Sequence, residues 1–320
     1  MMSSTPLQAG VLALGARSGR IRGRGPMRLA WARLRRDRVA MASIAVLALM
    51  ALFALAAPLL AGWTGHSYDH TYPVTGLDPI GQPVGPGRGF WLGADQLGRD
   101  VLVRAAYGAR VSLVVALGAT SLATVLGITV GLVSGFAGGV ADSLLAVFMD
   151  FVLALPYILV AIVLATTFRL TSVAASLTLT ILAIGFFSFA TIGRVVRAKV
   201  LSLKEADFVA AARSIGAGRA RIMFVDVLPN LAAEVTVLAS LTVPMSIVFE
   251  ASMSFLGVGV RPPMPSWGSM LGEGAEVFAT AWWLLAVPSG LLLLTTFSCT
   301  LLGDGIRCAL TGGGPGRARG

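Results

Sequence analysis

The chain has 320 residues, of which 56% are hydrophobic and only 12% charged, with a mean hydropathy of +0.83 and a formal net charge of +10. Soluble domains carry about 25% charged residues, so this chain has too little polar surface to face water on all sides and reads as a membrane protein. Its basic residues cluster beside apolar runs instead of forming one soluble face, which argues against nucleic-acid binding and fits the cytoplasmic bias of Lys and Arg in membrane proteins.

Nine arginines fall between Arg17 and Arg38, ahead of any long apolar run. Residues 1–38 read as a basic, disordered cytoplasmic segment, with Met27 an alternative start. A membrane-spanning helix needs about 20 mostly apolar residues, and residues 39–61 supply the first. The stretch ALAAP near its end resembles a signal-peptide cleavage site, but the long leader and full span length favour an uncleaved helix. Residues 62–110 read as an outer loop followed by an amphipathic surface helix over 91–110, with Leu97, Val101, Arg104 and Tyr107 at helical spacing.

The second span is expected at 111–137. Gly127, Gly131 and Gly135 recur every four residues there, leaving one face bare for a neighbouring helix of the same subunit. The third span is expected at 145–168, with Asp150 inside it and a kinking Pro156, and the fourth at 173–193. A basic segment, 194–230, precedes a fifth span at 231–255 that carries Glu234 and Glu250. Residues 256–280 are too rich in Gly and Pro to span and suit an outer docking surface or gate around Trp267. The sixth span is expected at 281–303, and residues 307–320 form a cytoplasmic tail. The fold class is therefore all-α: a polytopic membrane protein with six transmembrane helices, five of them in a core over 111–306. Six spans return both termini to one side. The arginine-rich leader makes that side cytoplasmic and brings 194–230 with it.

No catalytic apparatus is legible. A phosphate-binding loop needs G-x-x-x-x-G-K-[ST], and the only lysines, Lys199 and Lys204, follow Ala198 and Leu203. There is no G-x-S-x-G elbow. The only histidines, His66 and His70, fall in the outer loop with Asp69; a metal site there would need a helix that the surrounding Gly and Pro disfavour. Cys299 and Cys308, on one helix, would stand roughly 13 Å apart, too far for a disulfide. No catalytic, cofactor-binding or metal residue is expected. Charges at mid-membrane cost about 2.5–3.5 kcal/mol, so Asp150 and Glu250 call for a reason: a polar pathway, a position near the interface, or a hydrogen bond between helices.

The segment 201–230 has the pattern of two short helices around a break. Phe208, Ala211 or Ala212, and Ile215 mark an apolar stripe, with Glu205, Asp207 and Arg213 on other faces. Gly216-Ala217-Gly218 ends the run. Arg219–Val227 can form a second helix, and Pro229 suits the first turn of the next span. Such an elbow on the cytoplasmic face is apolar enough to pack against another protein.

Residues 209–230, VAAARSIGAGRARIMFVDVLPN, resemble the coupling motif of bacterial ABC importer permeases, roughly E-A-A, three residues, Gly, nine residues, I-x-L-P. Ala210, Ala211 and Ala212 stand at the E-A-A positions, Gly216 at the glycine, and Leu228 and Pro229 at the close; Ala210 and Asp226 depart from the acidic residue and the isoleucine. The stretches WLGADQLGRDVLVRAAYGARVSL (91–113), LSLKEADFV (201–209), EASMSFLGVGVRPPMPSWGSML (250–271) and LLGDGIR (301–307) are similar to the C-type permease subunit of dipeptide, oligopeptide and nickel importers. The resemblance spans about residues 30–310.

It implies a type I importer permease: a half-pore in the bacterial cytoplasmic membrane. It would pair with a homologous second permease, two ATPase subunits and an extracytoplasmic substrate-binding protein. ATP and Mg would bind the ATPases, not this chain. Coupling would fall to Glu205, Phe208, Ala210, Ala211, Ala212, Arg213, Gly216, Arg219, Leu228 and Pro229, and Asp150, Glu250 and Trp267 would be candidates for the pathway or gate. Di- or oligopeptides are the implied substrate, with nickel chelates or glutathione as alternatives. A membrane-embedded enzyme would need convergent His, Asp or Ser within the spans, which are not evident; a bare anchor would not need the elbow.

Overall fold

The computed structural model describes residues 26–168 and 172–311. Among these residues the structure is helical, with only two isolated β-bridges, Leu77 to Pro83 and Ala94 to Asp100. Five helical stretches are long and apolar enough to cross a membrane: Arg38–Leu55, Val101–Ala137, Val173–Lys204, Arg219–Phe255 and Trp283–Thr311. The bent pair Gly139–Ala154 and Tyr157–Thr167 makes a sixth if counted as one span.

The described residues open on α1 (Pro26–Leu34), a helix within the segment expected to be disordered. Ala30 and Leu34, four residues apart, bury one stripe against Leu302, Ile306, Ala309 and Leu310 near the end of the chain. Arg33 donates to the Ala309 carbonyl at 3.1 Å. The expectation of disorder fails for residues 26–34 because the last helix supplies an apolar partner; residues 1–25 lie outside the described residues. Asp37 then caps α2 (Arg38–Leu55), accepting from the backbone N–H groups of Val39 and Ala40. The first expected span, 39–61, is divided at Ala56, where α3 (Ala57–Thr64) begins with Pro58 in its first turn.

The expected surface helix over 91–110 is not separate. Residues 91–100 are loop, and α4 runs unbroken from Val101 to Ala137. Asp100 decides the start: its carboxylate accepts from Leu102 and Val103 N–H, a cap worth about 1 kcal/mol. Leu97 is therefore not on the helix that carries Arg104 and Tyr107. The third expected span is likewise more than kinked. Here α5 (Gly139–Ala154) and α6 (Tyr157–Thr167) meet at 82° across Leu155 and Pro156. Proline removes a backbone donor and clashes with the preceding turn.

The centre of the bundle is α4 against α7 (Val173–Lys204), the most extensive helix pair. The glycine stripe of α4 faces it. A Cβ at Gly131 would stand 2.5 Å from the Gly193 carbonyl, and one at Gly135 would stand 2.7 Å from Val200. The two backbones thus pack within this chain, as the spacing suggested. Next come α8 (Asp207–Ser214) and α9 (Leu228–Phe255), then α10 (Trp267–Ala275) within the expected non-spanning segment, and α11 (Trp283–Thr311). α9 packs on α4 and α11, and α11 packs on α2 and α10.

Gly131→Val should drive a side chain into backbone that cannot retreat, at a cost of about 1–3 kcal/mol or more. A Cβ at Gly290 meets nothing within 4 Å, so Gly290→Ala is the matched control. Thermal unfolding of the two purified variants checks this: a marked loss of Tm is expected for the first and none for the second.

Candidate functional site

The elbow is built by a specific helix ending. α8 closes with Ala217 N–H donating to Ala212 O at 3.0 Å and Gly216 N–H donating to Arg213 O at 2.9 Å. This is the paired 6→1 and 5→2 arrangement that requires a left-handed residue after the helix. Gly216 supplies it with φ +84°, and a Cβ there would meet open space. Val209 is fully buried, and Ala212 and Ala217 pack against the same core. Ala210, Ala211 and Arg213 are exposed, as are Glu205 at the end of α7, Phe208, and Ile215 at 82% exposure.

The second half of the elbow departs from expectation. Arg219–Arg221 is one exposed turn, Ile222–Val227 is a π-helix, and the helix continues without a gap into α9. Leu228 N–H donates to Met223 O, five residues back. Pro229 has no N–H to give, and widening the preceding turn is a standard accommodation. Pro229 is exposed and stands in the first turn of α9, which is continuous with the widened turn before it, while Leu228 is half-buried. Phe224 and Val225 stand exposed on this widened turn.

Above the elbow, Arg197 grips Asp142 with Nε at 2.6 Å and Nη2 at 2.8 Å, and Ser134 Oγ donates to the same carboxylate. This clamp joins the adjacent ends of α4, α5 and α7. Lys204 adds a bond to Gly135 O at 3.4 Å.

The three residues expected along a pathway separate. Asp150 has a side chain 60% exposed, 3.4 Å from Arg194. Glu250 is wholly buried; Ser112 Oγ and Ser254 Oγ donate to its two oxygens at 2.8 and 2.7 Å. Trp267 is also fully buried, with its Nε1–H donating to Ala105 O at 3.1 Å and its backbone N–H to Ser112 Oγ. Glu250 and Trp267 thus sit in one knot where α4, α9 and α10 meet.

A separate groove of about 480 Å³ opens between the α5–α6 break, α7 and α9. Its walls are mostly apolar, with polar groups only from Tyr157, Ser188, Thr191 and Thr242. At the end of α5 the Val152 carbonyl accepts from Leu155 N–H, while those of Leu153 and Ala154 find no partner within the helix. At membrane depth such backbone is tolerated where it is buried in protein or lines a watered cavity.

Residues 127–307 match the family of binding-protein-dependent transport system inner membrane components, and residues 25–78 match the N-terminal transmembrane domain of oligopeptide transport permease C. The chain belongs to this family. It is 35% identical over 285 residues to the dipeptide transport system permease protein of Alkalihalophilus pseudofirmus, covering 89% of each chain. It is 37% identical over 291 residues to the oligopeptide transport system permease protein of Escherichia coli K12, covering 91% of this chain and 92% of that one. A glutathione transport system permease protein of Pectobacterium atrosepticum is 34% identical over 287 residues, covering 90% and 91%.

The permease also holds a polar knot that its sequence hides. Arg99 and Arg104 bridge Asp95 and Glu273 of α10: Arg99 Nη2 lies 2.9 Å and Arg104 Nη2 2.8 Å from the Glu273 carboxylate, and Arg104 Nε lies 3.2 Å from Asp95. Arg99 Nε lies 2.6 Å from Asp95. The charges recur in GRDVLVR and LGEG, but nothing in their spacing pairs residues so far apart. The Arg197–Asp142 clamp and the groove were missed for the same reason.

Glu250→Gln should leave stability near that of the parent permease, because rotating serine hydroxyls can donate to or accept from an amide. Glu250→Ala strands Ser112 in a buried site and should cost about 1–3 kcal/mol. Tm and transport measured together check this. Loss of transport by the Gln variant at unchanged Tm would show that the carboxylate acts in the path.

Proposed function

We propose that this permease is one half of the pore of an ATP-driven importer that carries di- or oligopeptides across the bacterial cytoplasmic membrane. Its partners are a homologous second permease, two ATPase subunits that bind ATP and Mg, and an extracytoplasmic binding protein. The relatives named above transport dipeptides, oligopeptides and glutathione, itself a peptide. Their chemistry fits a groove with hydroxyls for a peptide backbone and apolar walls for varied side chains.

The observation that carries the coupling role is the elbow. Phe208, Ile215, Phe224 and Val225 are large apolar side chains exposed on a segment that also presents Arg213, Arg219 and Arg221. Apolar anchors rimmed by charge suit a protein partner, and the ATPase is the partner this reading requires. Glu205 and Arg213 flank α8 and supply charged contacts where Ala210 lacks the usual acid. Closing the ATPase pair would move α8, and the Val209 anchor and the continuous helix from Arg219 would pass that movement to the spans, a rigid-body mode of switching. The path would follow the groove at Tyr157, Thr191 and Thr242, with Asp150 near one end and Glu250 and Trp267 holding its outer wall.

This reading puts both termini and the elbow in the cytoplasm, the side that the Lys and Arg bias favours. Reporter fusions after Gly81 and Pro265 should read outside and fusions after Arg213 inside; an outside signal at Arg213 would overturn the topology.

Gly216→Val puts a β-branched residue at positive φ, where only glycine is unstrained. It should insert normally, since no span is touched, yet lose ATPase co-purification and peptide uptake. Ala210→Glu should keep both. Full uptake by Gly216→Val at matched membrane levels would show that the elbow is only a connection.

A further inference from the structure

The first helix has a second surface that none of this uses. α1 buries Ala30 and Leu34 on α11 and turns its flanks outward. Leu29 and Trp31 are 41% and 52% exposed, and Arg33, Arg35 and Arg36 are exposed beside them. Arg38, also exposed, is the first residue of α2, the first candidate span. Four arginines thus lie within six residues, at the end of a membrane-crossing helix.

Among the described residues no ion pair involves Arg33, Arg35, Arg36 or Arg38. The two nearby acids are engaged: Asp37 caps α2, and Asp304 lies 3.6 Å from Arg307. Arg35 stands over the Trp31 ring at 5.8 Å, which holds cation and indole on one flank.

From this arrangement we infer that α1 is a binding surface for anionic phospholipid headgroups. The guanidinium groups meet the phosphates, and Trp31 and Leu29 enter the boundary between headgroup and chain. Position decides against a soluble polyanion. The patch adjoins the first span, so its height is that of the membrane surface, and an exposed indole with an exposed leucine is covered by lipid but not by a dissolved anion. Basic clusters next to a span bind anionic lipid, and tryptophan favours the same depth. The lipid would hold α1 down on α11, and so brace the end of the helix that packs against α2 and α9.

The test uses the purified importer in phosphatidylcholine nanodiscs with and without phosphatidylglycerol. Trp31 emission is read as the difference between the parent protein and Trp31→Phe. A blue shift on adding phosphatidylglycerol is expected, with a preference over phosphatidylcholine of at least about tenfold. The triple variant Arg35→Gln/Arg36→Gln/Arg38→Gln should lose that preference while keeping its Tm in phosphatidylcholine alone, because these side chains make no hydrogen bond within the described protein. An equal response to both lipids, a preference retained by the triple variant, or reversal by inorganic phosphate at matched ionic strength would overturn the inference. So would a fall in the triple variant's Tm in phosphatidylcholine, which would assign the arginines to the protein's own packing.

Discussion

Everything in this permease is hung on the close approach of α4 and α7. Lipid chains are as apolar as leucine, so burying leucine gains little inside a membrane, and helices associate through packing and hydrogen bonds instead. Gly127, Gly131 and Gly135 remove the side chains that would hold the two helices apart. Ile192, the Gly193 carbonyl and Val200 fill the space left. Gly193 is bare on its other side, where a Cβ would meet the sulfur of Met149 on α5. One small-residue seam therefore sets the position of three helices. The elbow follows directly from it, because α8 begins where α7 stops and Val209 is buried in the same core.

The polar groups confirm that economy of contact. Charged groups inside the bundle are met by partners: Glu250 by Ser112 of α4 and by Ser254 one turn along α9, Asp142 by Arg197 and Ser134 from two other helices, and Arg104 by Asp95 of the preceding loop and Glu273 of α10. In a low-dielectric interior such pairs are strong, and breaking one leaves an expensive remnant. They act as rivets at the two ends of the bundle, while the α4–α7 seam runs between them. The groove beside α7 has no such rivet, and there the chain presents only hydroxyls and apolar walls.

Much of this was legible in the sequence wherever a local rule governs. The apolar runs predicted the spans, the four-residue glycine repeat predicted a close neighbour, and Gly216 predicted the end of α8. Misreadings arose where a single residue outweighs periodicity. Asp100 caps α4 so that it starts at Val101, ten residues ahead of the span expected from 111. Pro229 stands in the first turn of α9 as expected, but the segment before it is no separate helix: it widens and runs on into α9. Leu155 and Pro156 give a turn of 82°, where proline alone suggests a kink. The knots were out of reach because their members lie far apart: Ser112 and Glu250 are separated by 138 positions, Arg104 and Glu273 by 169. The leader was misjudged for a related reason, since the partner that orders residues 26–34 is the last helix of the chain.

The break between α5 and α6 bears on the assembly proposed for the permease. Leu153 and Ala154 are exposed in the chain by itself, and their carbonyls, unlike those of Val152 and Pro156, accept no backbone hydrogen bond at the break, so they face whatever surrounds a solitary copy. In a bilayer that is hydrocarbon, and each unsatisfied group costs several kcal/mol. A copy made in excess of its partners would therefore carry a standing defect in its wall, the kind of feature by which membrane quality control tells an orphan from an assembled subunit. If the proposed assembly covers that break, balanced synthesis of its subunits becomes a physical requirement of this fold as well as an economy of the cell.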